Sequence, residues 1–141
     1  MKILFPVDGS KGGHAAVRFA ARHWAALGGD SEPPTLLFVD APLIAGARRK
    51  LGAKGTARYH AENARPAFRS ARAQLARAGV KAREEIAMGN PGEEIARIAV
   101  QDGYDLVVMG SRGHGAIGTF LLGSVANKVL ARCRVPVLLV R

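Results

Sequence analysis

The stretch Asp105–Arg132, DLVVMGSRGHGAIGTFLLGSVANKVLAR, carries the strongest pattern in this chain. It opens with a short apolar run, Leu106 to Met109, and such a β-branched-rich run before a glycine predicts a buried strand. Glycines follow at positions 110, 113, 115, 118 and 123, and Ser124 precedes a second apolar run with helical spacing. The stretch therefore predicts a strand, a glycine-rich loop and a helix capped by Ser124, with Val125, Val129 and Leu130 on its buried side.

A strand, a glycine-rich loop and a helix N-terminus in this order suit a bound phosphate. Glycine adopts positive φ and lets an anion approach the bare backbone, while free N–H groups and the helix dipole attract negative charge. The Ser124 hydroxyl can also donate a hydrogen bond to a phosphate oxygen.

Two common nucleotide motifs almost match this loop, and neither fits. Residues 113–118 satisfy GxGxxG, but that fingerprint belongs after the first strand and needs an acid about 20 residues later. No Asp or Glu occurs after Asp105. Residues 118–124 resemble a Walker A loop, but Ser124 stands where its lysine belongs.

A longer pattern does fit, because Gly110-x2-Gly113-x9-Gly123-Ser124 resembles the nucleotide-binding signature of the universal stress protein family, in its ATP-binding branch. Its long spacing and fixed last residue make it far more specific than GxGxxG. The resemblance covers nearly the whole chain. It includes the opening strand into Pro6-Val7-Asp8-Gly9-Ser10, the Gly89-Asn90-Pro91 turn and the closing Val135-Pro136-Val137 strand.

The rest of the chain alternates between strand and helix patterns. Strands are expected at 2–7, 35–39, 80–88 and 135–140, and helices between 10 and 28, 59 and 78, and 90 and 103. The third strand is the most polar and is expected at an edge. Pro66 is expected to kink the long helix or to mark its true start. Residues 41–57 show no period and predict a mobile basic loop with at most a short helical piece.

Such alternation predicts an α/β fold of one domain, residues 1–141, with a five-stranded parallel sheet and helices on both faces. The resemblance implies the strand order 3-2-1-4-5 of a Rossmann-like, adenine-nucleotide alpha-hydrolase-like fold. Ligands of such sheets bind beyond the carboxyl ends of the strands, where the strand order reverses. Asp8, Val39, Gly89 and Gly110 lie at the carboxyl ends of predicted strands, so they are expected to converge on one crevice.

The resemblance also implies which residues bind the nucleotide: Pro6, Asp8, Val39, Met109, Gly110, Gly113, Gly123, Ser124 and Val125. Asp8 would face the ribose or the adenine, and the backbone of Val39 would meet the adenine. The last two glycines would let the phosphates approach, and Ser124 and Val125 would contact them at the helix start. Arg112, inside the loop, is added as a phosphate partner because of its charge.

The implied ligand is ATP, or AMP or ADP, with Mg²⁺ or Mn²⁺ shielding the phosphates. Hydrolysis is expected to be slow or absent, because the chain has no P-loop lysine, no paired carboxylates at the loop and no evident base. His114 is interpreted as an exposed loop residue, and the resemblance permits self-phosphorylation at Ser111 or Ser124. Family members usually dimerise through the last strand, which implies that residues 137–141 pair with a second copy.

The net charge of +10 is concentrated in one segment, because residues 41–83 hold eleven Lys or Arg and one acid. An arginine stripe on the long helix is either a solvated face or the surface of a nucleic-acid or acidic-partner binding module. Its members are Arg58, Arg65, Arg69 and Arg72. Few aromatic residues accompany it, so base stacking is poorly supported. A weaker alternative is a nucleotidyl-transfer enzyme that uses Lys11 and His14 of the early loop.

The composition also predicts the compartment. No apolar run approaches the roughly 20 residues of a membrane helix, and Ile3 to Val7 is too short for a signal segment. The single cysteine, Cys133, cannot form an internal disulfide, which agrees with a reducing compartment. We therefore expect a cytoplasmic ATP-binding stress-response or signalling protein.

Overall fold

A computed structural model describes residues 1–28, 32–113 and 122–141. The described residues form five strands and four helices in alternation. They are β1 (Ile3–Pro6), α1 (Lys11–Arg22), β2 (Thr35–Asp40), α2 (Ala45–Ala76), β3 (Arg83–Met88), α3 (Pro91–Gln101), β4 (Leu106–Gly110), α4 (Ser124–Arg132) and β5 (Val137–Val140). His114 and the glycines at 115 and 118 lie outside the described residues.

The five strands form one sheet in the order β3-β2-β1-β4-β5, and every pair is parallel. This confirms the predicted α/β fold, the strand order 3-2-1-4-5 and the edge position of the third strand. The strand order reverses between the neighbouring strands β1 and β4. A crevice is expected there, at the carboxyl ends of the strands.

Successive residues of β1 pack into the two halves of the core. Ile3 and Phe5 lie in a cluster with α1 and α2, while Leu4 lies in a second cluster with α3 and α4. All three are fully buried. Since side chains of a strand alternate between faces, a strand covered by helices on both sides must be apolar throughout. This is why the opening run of the chain has no polar alternation.

Several elements are shorter than their sequence patterns predict. β1 pairs only from Ile3, and β3 begins at Arg83 rather than at Val80. α1 ends at Arg22, well before the two glycines at 28 and 29, and the exposed His23 caps it through its backbone N–H.

The region 41–57 differs most from its prediction, because it is mostly helical. α2 begins at Ala45 and continues to Ala76, with one non-helical residue, Gly52 (φ 69°, ψ −178°). Pro66 therefore neither starts the helix nor distorts its dihedral angles. Residues 45–57 of α2 are largely exposed and therefore carry no apolar period. For this reason the sequence pattern does not predict a helix there.

Within the described ranges, no helix has both the length and the apolar character needed to cross a membrane.

Candidate functional site

A cavity of about 540 Å³ opens at the carboxyl ends of β1, β2 and β4, beside the start of α4. All ten residues that were predicted from the sequence line it: Pro6, Asp8, Val39, Met109, Gly110, Arg112, Gly113, Gly123, Ser124 and Val125. Gly89 does not line the cavity, although it was expected in the same crevice. It follows the edge strand β3, and its N–H donates to the Asp40 carbonyl oxygen (2.9 Å).

Asp8 lies in the turn between β1 and α1. Its Oδ1 accepts a hydrogen bond from the Ser10 N–H (2.9 Å), and the Ser10 Oγ accepts one from the Gly13 N–H (3.1 Å). Ser10 is therefore the N-cap of α1, as predicted. Gly9 permits this turn because its φ is 79°. The turn holds the Asp8 carboxylate at the wall of the cavity.

The start of α1 packs directly on the end of β4. A Cβ atom on Gly110 would overlap the backbone of Gly12, and one on Gly12 would overlap the Arg112 carbonyl oxygen. The two glycines are needed because two backbones approach here without room for a side chain. The sequence is consistent with either close backbone approach or fraying at Gly12, and the structure selects the first.

The two ends of the glycine-rich loop lie together at the cavity. The Gly123 N–H donates to the Ser111 carbonyl oxygen (2.9 Å), which ties the end of the loop to its beginning. A Cβ atom on Gly113 would stand 3.0 Å from Asp8 Oδ2, and one on Gly123 would stand 3.3 Å from Arg112 Cα. A side chain at position 113 would therefore extend toward the Asp8 carboxylate and reduce the space beside it.

The N-terminus of α4 faces the cavity without a side-chain cap among the described residues. Gly123, in extended conformation, is the N-cap residue, so the prediction that Ser124 caps the helix is wrong. The first helical hydrogen bond runs from the Asn127 N–H to the Gly123 carbonyl oxygen (3.0 Å). The N–H groups of residues 124–126 precede it, and all three residues line the cavity. Such a terminus attracts an anion.

The buried side of α4 also differs from its prediction. Ala126 and Val129 are its buried residues, whereas Leu130 is 45% exposed. Leu130 was expected to face the core from the apolar spacing alone.

One part of the cavity wall is apolar. Leu37, Pro91 and Ile95 line it together with Val39 and Met109. Sequence reasoning did not assign the first three to the site. In the sequence, Leu37 belongs only to the predicted strand 35–39, and Pro91 only to the Gly89-Asn90-Pro91 turn. Pro91 and Ile95 lie at the cavity because α3 packs on the sheet, and no local sequence pattern predicts that packing.

Asp8 is the only acidic residue among those lining the cavity in the described part of the chain. No group of three or more His, Cys, Asp or Glu in the same ranges could hold a metal ion. A divalent cation here would therefore depend on oxygen atoms of the ligand for most of its coordination.

The residues of the two alternative functions lie elsewhere. All four stripe arginines are exposed, but Arg58 pairs with Glu62 (3.0 Å) and Arg72 with Glu84 (3.1 Å). Arg65 and Arg69 have no ion pair among the described residues. Lys11 and His14 belong to α1 and are not among the residues that line the cavity.

Solved structures resemble this fold over its full length. The structure of MJ0577 has a TM-score of 0.77 and 28% identity, and covers 99% of this chain and 94% of that one. A universal stress protein solved in complex with cAMP has a TM-score of 0.72 and 26% identity, and covers 100% and 97%.

Sequence comparisons also find universal stress proteins. A universal stress protein of Thermus aquaticus is 51% identical over 53 residues, which are 38% of this chain and 39% of that protein. MJ0531 of Methanocaldococcus jannaschii is 30% identical over 140 residues, which are 99% of this chain and 81% of the relative. The chain thus spans well under half of the first relative and most of the second. The model of the universal stress protein family matches residues 1–141. This chain belongs to the universal stress protein family.

Proposed function

We propose that this chain is a cytoplasmic stress-response or signalling protein that binds an adenine nucleotide in the cavity at the carboxyl ends of β1, β2 and β4. The observation that carries this proposal is the N-terminus of α4, which has no side-chain cap among the described residues and meets the two ends of the glycine-rich loop and the Asp8 carboxylate at one cavity. The similar universal stress protein in complex with cAMP supports the class of ligand.

The cavity offers a matching environment to each part of an adenine nucleotide. The N–H groups at the start of α4, together with Arg112, suit the phosphates. Asp8 can accept hydrogen bonds from ribose hydroxyls. The apolar wall formed by Val39, Ile95 and Met109 suits the flat adenine ring. The volume of about 540 Å³ lies within the range of small-molecule sites, about 300–1,000 Å³.

ATP with Mg²⁺ or Mn²⁺ is the form of the ligand that we propose. The metal would be bound mainly by the phosphates and water, because Asp8 is the only carboxylate among the described lining residues. Within that same lining no lysine stands at the phosphates, and no histidine or second carboxylate stands beside Asp8 to activate water. Turnover is therefore expected to be slow or absent, so the bound nucleotide would act as a signal rather than as a substrate.

Calorimetric titration with ATP and Mg²⁺ tests the proposal, after any copurified nucleotide has been removed. The wild type is expected to bind one nucleotide saturably, and the double variant Gly113→Val, Gly123→Val is expected to lose this binding because its side chains enter the cavity. Gly46→Val is the matched control, since Gly46 is exposed on α2 and a Cβ atom there meets nothing within 4 Å.

Circular dichroism and thermal unfolding would establish that each variant folds. Absence of binding by the wild type would reject the nucleotide proposal and leave the fold unaffected. Equal binding by the wild type and the double variant would place the nucleotide outside this cavity.

A second candidate function is the binding of an acidic partner by the arginine stripe of α2. The observation in its favour is that Arg65 and Arg69 are exposed and have no acidic partner among the described residues. Retention on immobilised heparin should then fall steeply with salt. Replacing Arg65, Arg69 and Arg72 by glutamate should remove this retention; unchanged retention would reject the candidate.

A further inference from the structure

A second cavity lies away from the first, between the N-terminal turns of α2 and the edge strand β3. It is an open groove of about 620 Å³ and shares no lining residue with the first cavity. Its lining includes Arg48, Arg49, Thr56, His60 and Met88. The glycines and the serine of the nucleotide-binding signature all lie elsewhere, so that signature does not explain the groove.

The break in α2 lies at this groove. Gly52 lines it and has φ 69° and ψ −178°, a combination that is essentially restricted to glycine. A Cβ atom on Gly52 would meet nothing within 4 Å, so packing does not require a glycine there. The backbone conformation at position 52 requires a glycine, and it interrupts α2 at the groove.

Two buried polar atoms at the groove have no hydrogen-bond partner among the described residues. His60 is 4% exposed, and its Nδ1 donates to Asp40 Oδ2 (2.7 Å), which fixes the ring. Its Nε2 is buried and makes no hydrogen bond to any described residue, and the same holds for Thr56 Oγ1. Residues 56 and 60 are four apart on one helix face. Because buried polar atoms are nearly always hydrogen-bonded, two unpaired atoms on one face point to a missing ligand.

The remaining lining is apolar, with a cationic rim. Ile86 and the half-exposed Met88 supply side-chain surface from β3. Arg48 and Arg49 are exposed and form no ion pair or side-chain hydrogen bond with any described residue. Two arginines that line one groove, have no acidic partner among the described residues and lie beside apolar surface suit a carboxylate attached to an apolar body.

We propose that this groove is a second ligand site, which binds a small amphipathic carboxylate. Its carboxylate contacts Arg48 and Arg49, and its apolar body covers Ile86 and Met88. A polar group of the ligand bonds to Thr56 and His60. This site does not depend on the nucleotide proposal, because it uses no residue of the first cavity.

The three methionines of the chain provide a direct test, because Met88 lines the groove, Met109 lines the first cavity and Met1 lines neither. The full chain would be labelled with ¹³C at the methionine methyl groups and titrated with sodium decanoate below its micelle concentration. Saturable shifts of the Met88 signal, with Met109 unchanged, are expected. Titration with ATP should move the Met109 signal instead, so failure at one site is distinguishable from failure at the other.

Charge variants inside and outside the groove supply the matched comparison. Arg48→Glu with Arg49→Glu should weaken decanoate binding by about tenfold or more, since charge-assisted hydrogen bonds are lost and repulsion replaces them. Arg18→Glu with Arg22→Glu makes the same charge change on exposed residues of α1 that line neither cavity, and it should leave the affinity within about twofold.

A second pair of variants, at two exposed alanines, keeps the test informative if the arginine variants do not fold. Ala53 lines the groove and Ala73 does not, and both are exposed on α2. Ala53→Phe should fill the groove and abolish the Met88 shift, whereas Ala73→Phe should not.

Three results would overturn the proposal. One is the absence of a saturable Met88 shift in the wild type. Another is a shift that survives Arg48→Glu with Arg49→Glu. The third is equal binding of neutral decanol, which would identify an apolar patch without selectivity for anions.

Discussion

Gly110 and Gly12 bring two backbones into direct contact at the end of β4, so a single methyl group should disturb the fold there. Gly110→Ala is expected to lower the free energy of unfolding by about 1–3 kcal/mol, because the new Cβ overlaps the Gly12 backbone. Urea denaturation measures this change. Gly46→Ala is the control, since its site is open and helical, and it should leave stability unchanged or slightly higher. Equal stability of both variants would mean that α1 moves away freely.

Asp40 makes the free energy of unfolding depend on pH in the acid range. Burial would raise the pKa of Asp40, but hydrogen bonds from His60, Asn63 and the Ala41 N–H outweigh it and hold the pKa below its ordinary value of 3.8. A carboxyl whose pKa is lower in the folded state stabilises the fold above the unfolded pKa. This stabilisation is lost as the pH falls through the folded value.

The free energy of unfolding should therefore decrease as the pH falls below 3.8, and less so in Asp40→Asn. Urea denaturation series between neutral pH and the lowest pH at which the protein is still folded would measure both slopes. Asp102→Asn, which removes an exposed carboxylate elsewhere in the chain, is the control for the substitution itself. Identical acid slopes in the wild type and Asp40→Asn would contradict the assignment.

At the scale of elements, α1 depends on its cap. Ser10 is 4% exposed, and its Oγ accepts the hydrogen bond from the Gly13 N–H. Ser10→Ala should lower the free energy of unfolding by about 1 kcal/mol, because one N–H loses its partner in a buried position. Thermal unfolding followed by circular dichroism would record it.

Ser70→Ala is the matched control for the cap, because it makes the same substitution inside α2, where the serine caps no helix. Alanine is the better helix former, so this variant should be as stable as the wild type or slightly more stable. A loss of the same size in both variants would show that the cap is not the cause.

At the scale of the whole molecule, β5 leaves one edge of the sheet without a described partner strand. The carbonyl oxygens of Pro136 and Val140 accept from Val107 and Ser111 of the β4 region, so the backbone groups of residues 137 and 139 face the other edge by alternation. An edge of this kind pairs readily with a second strand. We therefore propose a homodimer in which residues 137–141 pair with their copy.

Leu139→Pro should shift the protein from dimer to monomer in sedimentation velocity, because it removes an N–H that faces the open edge. Leu139→Ala is the control, since it loses the same packing but keeps the N–H. A wild type that sediments as a monomer would reject this interface, as would a Leu139→Pro variant that remains a dimer.

The amino-acid order was enough to predict the succession of elements, the parallel sheet and the ten residues gathered at the first cavity. The elements could be predicted locally, because buried strands and helices leave apolar periods. Nine of the ten cavity residues came from the family resemblance that the spaced glycines carry, and Arg112 was added because of its charge. Three features emerged only from the folded chain: the cap at Gly123, the place of Pro91 and Ile95 at the cavity, and the helix over residues 45–57. Each of these depends on contacts between elements far apart in the chain, or on an exposed helix that buries too little to leave a period.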